Sequence, residues 1–195
     1  MLSVIIATED SERLLLPTLS ALIPGALAGV VREVIVADAG SRDETAAVAD
    51  VAGCRIVVSK APLGARLKSS AAGARGSWLM FLKPGTVPDA TWVDDANRFV
   101  QDTERGARAH AWAAVFRATP AARGPRRNLA DAMTRIAAAL GARPRPQQGL
   151  LISKQLYERL GGHNADGLDP EADFLRRLGR RRIVTLRSGV ATAVV

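Results

Sequence analysis

The pattern of this chain predicts an α/β fold: a mostly parallel sheet with helices on both faces. Strand-like and helix-like segments alternate through the first half, as a parallel sheet requires, because each strand must return through a crossover helix. Two apolar runs, Leu2-Ser3-Val4-Ile5-Ile6-Ala7 and Glu33-Val34-Ile35-Val36-Ala37, each end in an acidic segment, Thr8-Glu9-Asp10 and Asp38 to Thr45. Parallel strands deliver both segments to one sheet edge, where open α/β sheets bind ligands. With 195 residues, 48% hydrophobic and 24% charged, the chain can build one core and is too apolar for disorder.

Strands are expected at Ser3 to Ala7, Glu33 to Ala37, Arg55 to Val58 and Trp78 to Leu82, each short, apolar and bounded by polar or glycine residues. Pro17 suits the first turn of a helix, with Leu19, Leu22 and Ile23 at core-facing spacing and Pro24-Gly25 as its stop. Ser41 and Glu44 stand at capping-box spacing, which predicts a second helix from Ser41 to about Val51 and leaves Asp38 in the loop before it. A third helix is expected over Gly64 to Ala74, ending near Gly76. Lys83 to Pro88 reads as a turn and Ala90 to Gln101 as a helix. Further on, His110 to Ala118 reads as a strand, Thr119 to Arg127 as a mobile loop, and Leu129 to Leu140 as an amphipathic helix. Gly149 to Ser153 is expected as a strand, Lys154 to Leu160 and Glu171 to Leu178 as helices, and Ile183 to Leu186 as a last core strand.

The net charge of +8 comes mostly from arginine, clustered at Arg123, Arg126 and Arg127 and again at Arg176, Arg177, Arg180, Arg181 and Arg182. Such clusters suit phosphate, nucleic acid or an anionic membrane, and equally a solvated helix face. The lone Cys54 excludes an intrachain disulfide and a thiolate-rich zinc site; beside Ile56-Val57-Val58 it reads as a buried, inert thiol. His110 and His163 are too far apart in sequence to suggest a metal pair. Trp78, Trp92 and Trp112 are expected in the core, although Trp92, beside Pro88, stands where it could reach an acceptor. No Walker or Rossmann glycine fingerprint is present. No apolar run approaches the roughly 20 residues that span a bilayer, and nothing near Met1 reads as a signal peptide, so a cytoplasmic location is expected.

Ser3 to Glu9, Glu33 to Thr45, Ala71 to Leu82 and Gly149 to Gly162 together resemble the family 2 glycosyltransferases, over nearly the whole chain. The resemblance implies one GT-A domain over residues 1–195, with a nucleotide-binding half at 1–88 and an acceptor half at 89–195. It implies an inverting, hexosyl-type transfer from a nucleotide-diphosphate sugar to an acceptor hydroxyl. On the family pattern Thr8, Glu9 and Asp38 line the nucleoside pocket, with Asp38 accepting from a ring N–H. Arg66 meets the donor, and Lys68, where asparagine is usual, meets the diphosphate as a point charge. Gln147 and Gln148 fall in the acceptor region. Glu171 aligns with the general base, with Asp169 and Asp173 as alternatives, while acidic residues there also simply cap a helix N-terminus.

The family's cofactor is Mg²⁺ or Mn²⁺, held by an acidic residue after the fourth strand. Here that stretch is Lys83-Pro84-Gly85-Thr86, so the metal-ligand set has no member at that point and Lys83 is the charged group facing the donor. A second reading is a nucleotide-sugar-binding protein of the same fold that has lost turnover. A third, nucleic-acid binding through the arginines, is disfavoured by 4% aromatic content and the lack of a recognised motif. The basic surface suits peripheral contact with the inner face of a membrane, where lipid-linked acceptors reside.

Overall fold

A computed structural model describes residues 1–106, 110–119 and 144–193. The helix expected over Leu129 to Leu140, the Arg123, Arg126 and Arg127 cluster and nearly all of the loop from Thr119 to Arg127 lie outside these residues. In chain order the elements are β1 (Leu2–Thr8), α1 (Glu12–Leu27), β2 (Val31–Asp38), α2 (Thr45–Val51), β3 (Arg55–Val58), α3 (Leu63–Ala72), β4 (Trp78–Leu82), β5 (Thr86–Pro88) and α4 (Trp92–Arg105). Then follow β6 (Ala113–Ala118), β7 (Leu150–Ser153), α5 (Lys154–Arg159), α6 (Pro170–Leu178) and β8 (Ile183–Thr192), with short 3-10 turns at Pro146–Gln148 and Arg180–Arg182.

One sheet carries the strands in the order β3-β2-β1-β4-β7-β6-β8-β5. β1 lies between β2 and β4, parallel to both, with Thr8 opposite Asp38 and Ile6 opposite Leu82. β7 runs antiparallel to β4, Leu150 opposite Phe81. The 3-10 turn that precedes β7 therefore arrives at the edge where β1, β2 and β4 end.

Period-two alternation sends successive strand residues to two separate cores. Val4 and Ile6 join Leu15, Leu22, Ala49, Trp92 and Ala96. Ile5, Leu79 and Phe81 join Leu67, Ala71, Leu156, Tyr157 and Phe174. Val4, Ile5 and Ile6 are all fully buried, which is why β1 reads as an unbroken apolar run.

Several boundaries differ from the sequence-based expectation. α1 neither opens at Pro17 nor stops at Pro24; it runs through both. Each proline removes one intrahelical bond, but the buried face of Leu15, Thr18, Leu22 and Gly25 keeps the helix on the sheet. Gly25 is where Trp92 packs: a Cβ there would stand 2.5 Å from the indole. Trp92 is 1% exposed and its Nε1 donates to the Ala21 carbonyl at 2.9 Å, so it is a core residue out of an acceptor's reach. α2 starts at Thr45, not Ser41, because the Ser41 hydroxyl is engaged by Asp38. The turn after β4 contains β5, which pairs with the far half of β8, Thr86 opposite Thr192. A three-residue edge strand ending in proline has no period to read, and proline is tolerated there because an edge leaves one side unpaired.

α3 and α6 meet at their N-termini through Gly64, where a Cβ would fall 1.8 Å from the Asn164 carbonyl oxygen and 3.0 Å from the Pro170 side chain. Gly64→Ala is expected to destabilise the protein by at least about 1–3 kcal/mol through overpacking, read as a lower urea midpoint. An unchanged midpoint would show that the two N-termini do not touch in solution.

Candidate active site

Asp38 ties the carboxyl ends of β1 and β2 together. Its Oδ1 accepts from the Thr8 and Ser41 hydroxyls and its Oδ2 from the Gly40 and Ser41 amides, at 2.8 Å for Thr8, 2.8 Å for Gly40 and 2.7 Å for the Ser41 amide. Gly40, at φ 89°, allows the chain to turn back and present these amides. The side chain is 2% exposed and each oxygen already has two donors. The carboxylate expected to accept from a base N–H thus has both oxygens engaged by donors of its own chain. Burial alone would raise its pKa, but the bonds from Ser41, Thr8 and Gly40 outweigh burial and hold it below the ordinary 3.8.

Asp10 and Asp43 are engaged in the same way. Asp10 accepts from the Arg42 amide at 2.7 Å, and Asp43 accepts from the amides of Glu12 and Thr45, both at 3.0 Å. Asp43 thus covers an N-terminal amide of α1 from a loop 31 residues away, a cap that local sequence patterns do not reveal. Thr8 is buried with Asp38, and Glu9 remains exposed.

Arg66, 8% exposed, lies beneath the strand ends: its Nη1 donates to the carbonyls of Thr8 (3.0 Å) and Ala37 (2.6 Å), while its buried Nε has no partner among the described residues. Lys68 is exposed, about 200° further round α3, so the structure does not bring it to Arg66. Lys60, which the sequence reading passed over, is an exposed cation at the carboxyl edge. Its Cε would lie 3.9 Å from a Cβ on Gly40.

In the loop after β4, Lys83 is paired with Glu171. The loop after β4 is pinned to α1 by the Gly85 amide, which donates to the Leu14 carbonyl (2.8 Å) and the Thr18 hydroxyl (2.9 Å). From this anchored loop Lys83 Nζ reaches Glu171 Oε2 at 2.7 Å, with the carboxylate side chain 14% exposed in the first turn of α6. Burial raises the Glu171 pKa above its ordinary value; Lys83 opposes the shift without cancelling it.

Of the alternative bases, Asp169 caps α6, accepting from the Ala172 amide at 3.0 Å. Asp173 is bound by Arg177 (2.8 Å) and Arg176 (2.6 Å), whose hydrogen bonds hold its carboxyl below the usual range. Gln148 holds the 3-10 turn, donating to the Phe116 carbonyl and accepting from the Arg145 amide, both at 2.8 Å. It is therefore structural here, whereas Gln147 is exposed on that turn, which packs against β4 and α6.

His163 is buried, hydrogen-bonded through Nδ1 to the Tyr157 hydroxyl at 2.8 Å and packed by Phe81 and Phe174; burial pushes its pKa down to about 4. It is a neutral core residue. Burial pushes the Cys54 thiol up to about 11, in keeping with an inert group. A cavity of about 530 Å³ lies elsewhere, between α1 and α2, and its walls of Leu16, Leu19, Ile23, Val48 and Val51 offer no charged group to a phosphate.

A divalent cation does not fit the residues present. Among the described residues no three His, Cys, Asp or Glu side chains cluster as ligands. The position where the family's acidic ligand is expected is Gly85, at φ 84°, and a Cβ there would point at Leu14 in α1, 3.1 Å away.

No family model and no curated protein matches the chain. Solved structures do match. Glucosyl-3-phosphoglycerate synthase from Mycobacterium tuberculosis, crystallised with Mn²⁺ and UDP-glucose, aligns over 100% of this chain and 72% of its own, with TM-score 0.68 and 22% identity. The same enzyme with Mn²⁺, UDP and glucosyl-3-phosphoglycerate gives 0.69 at 21% identity with the same coverage. A further mycobacterial protein gives 0.71 at 21% identity, over 100% of this chain and 68% of that one. The fold is therefore that of a GT-A-like glycosyltransferase.

Asp38→Asn is expected to cost about 1–3 kcal/mol at pH 7, because two acceptor lone pairs become an amide facing donors. Since the folded pKa lies below the unfolded one, the stabilisation from the charged form is full above 3.8 and is lost as pH falls through the lower folded value. Urea titrations should therefore show a shallower acid dependence for Asp38→Asn than for the wild type; equal slopes would contradict the assignment.

Proposed function

We propose that the chain is a family 2 glycosyltransferase that moves a hexosyl group from a nucleotide-diphosphate sugar to an acceptor hydroxyl with inversion. The observation that carries this reading is the Lys83–Glu171 pair at the carboxyl edge of the sheet, in a fold shared along its full length with an enzyme crystallised with UDP-glucose. The nucleoside lies against the wall built by Thr8 and Asp38, with Glu9 at its rim and Arg66 beneath the strand ends. The diphosphate lies toward Lys83, and Gln147 stands on the acceptor side.

In the proposed reaction Glu171 takes the proton of the acceptor hydroxyl, the freed oxygen attacks the anomeric carbon, and the bond from that carbon to the diphosphate oxygen breaks. The nucleoside diphosphate leaves with the bonding electron pair. With Glu171 acting as base, the step is a single displacement, which inverts the anomeric centre. The burial that raises the Glu171 pKa moves it toward operating pH, as a general base requires. Mg²⁺ or Mn²⁺ accompanies UDP in the structures of the mycobacterial synthase, but the present donor set does not match it and no step here passes through a metal.

A second reading, a nucleotide-sugar-binding protein without turnover, is favoured by one observation: the candidate base is paired with Lys83. Among the described residues no helix is long and apolar enough to cross a membrane. A cytoplasmic protein meeting its acceptor at the inner membrane face remains part of the proposal.

Calorimetry with uridine, guanosine and thymidine diphosphates should show binding of at least one, and failure of all three would end the transferase reading. With the corresponding sugar donor, Glu171→Gln should bind the donor at least as tightly as the wild type and lose about 10²–10⁴-fold in transfer rate. The wild-type rate should fall on acidification as Glu171 protonates, at a pH above the ordinary 4.5. Donor binding without transfer by the wild type, over a panel of acceptors, would favour the binding-protein reading.

A further inference from the structure

We propose that Lys83 takes the place of the divalent cation, exchanging Glu171 for the donor diphosphate so that the nucleotide binds without metal. The inference rests on the nucleotide-sugar reading and adds to it a charge-balancing group and a linkage between donor binding and the base. Three observations carry it. The position aligned with the acidic ligand is a glycine whose side-chain direction faces Leu14 in α1, so no carboxylate there could face the cleft without rebuilding the loop. The loop itself is held by two bonds from the Gly85 amide, leaving the Lys83 side chain, 36% exposed, as the part free to rotate. Among the described residues its ammonium has one partner, Glu171, although it carries three donors.

The other basic groups near this edge are placed differently. Arg66 is buried with its Nη1 on strand carbonyls, and Lys68 faces away from Arg66 on α3. Lys60 stands beside Gly40 on the Asp38 side of the edge, where it can assist but does not touch the base. Lys83 alone of these is in contact with Glu171. A diphosphate with its dense negative charge competes with one carboxylate for a compact ammonium. Once Lys83 moves across, Glu171 loses the neighbour that stabilises its charged form and becomes the stronger base, so donor binding readies the site for the acceptor.

The test is calorimetric titration of uridine, guanosine and thymidine diphosphates into the full chain, in EDTA and in Mn²⁺. Expected are equal affinity in both buffers and, in EDTA, about tenfold or weaker binding to Lys83→Ala, the loss of one charge-assisted contact. Lys83→Arg should retain most of the affinity. Because Lys83→Ala strands a buried carboxylate that would itself repel an anion, the double variant Lys83→Ala/Glu171→Gln is also measured. It should remain weak if Lys83 holds the diphosphate, and recovery to wild-type affinity would overturn the inference. Binding only in Mn²⁺ would also overturn it while leaving the nucleotide-sugar reading intact. No binding of any of the three in either buffer would remove both.

Discussion

The four hydrogen bonds to the Asp38 carboxylate are the constraint around which the edge of the sheet is organised. They fasten the end of β1 to the end of β2 and fold the following loop back over both. Ser41, held in this way, accepts from the Asp10 amide at 2.9 Å, and Thr45 accepts from the Ser11 amide at 2.8 Å, which fixes the start of α1 against the start of α2. Arg66 adds a clamp from below on the carbonyls of the same two strands. A buried ionised carboxylate is tolerated only when its acceptor capacity is satisfied, and here satisfying it is what ties the strand ends to the loop after β2.

Carboxylates of nearly identical intrinsic acidity are driven in opposite directions within this small region. Asp38 gathers amides and hydroxyls and stays ionised; Asp173 is held by two arginines and stays ionised; Glu171 is buried with a single lysine and shifts upward. Groups whose environments separate their pKa values mark the division between structural and chemical roles. Asp38 and Asp173 are held by the donors around them, and in the proposed reaction Glu171 is the group that moves a proton. The Lys83 loop completes the arrangement by putting a cation, not a metal ligand, where the sheet edge meets α6.

The strands were legible because their signal is local. β3 and β4 run over the same residues that the apolar runs mark, Arg55–Val58 and Trp78–Leu82; β4, buried on both faces, writes a continuous apolar stretch, and β3, a half-buried edge strand, is marked by its β-branched run Ile56-Val57-Val58. α1 was misread because proline's local rule is strong and its override is not local: the core under Leu15 and Leu22 and the indole of Trp92 against Gly25 keep the helix whole. The Ser41–Glu44 spacing misled for a related reason, the serine hydroxyl being more useful to Asp38 than to a helix amide.

The sequence alone determined the α/β architecture and the delivery of the Thr8 and Asp38 segments to a common edge, because strand polarity and side-chain period are properties of short stretches. It also determined that the loop after β4 carries lysine and glycine where an acidic ligand would stand. Only the tertiary structure decided which charged groups are occupied and which are available. Thr8 meets Asp38 across 30 residues and Glu12 meets Asp43 across 31, and Lys83 finds Glu171 from a loop in the other half of the chain. A carboxylate's role depends on the donors that surround it, and those donors are assembled by folding from segments that no local pattern connects.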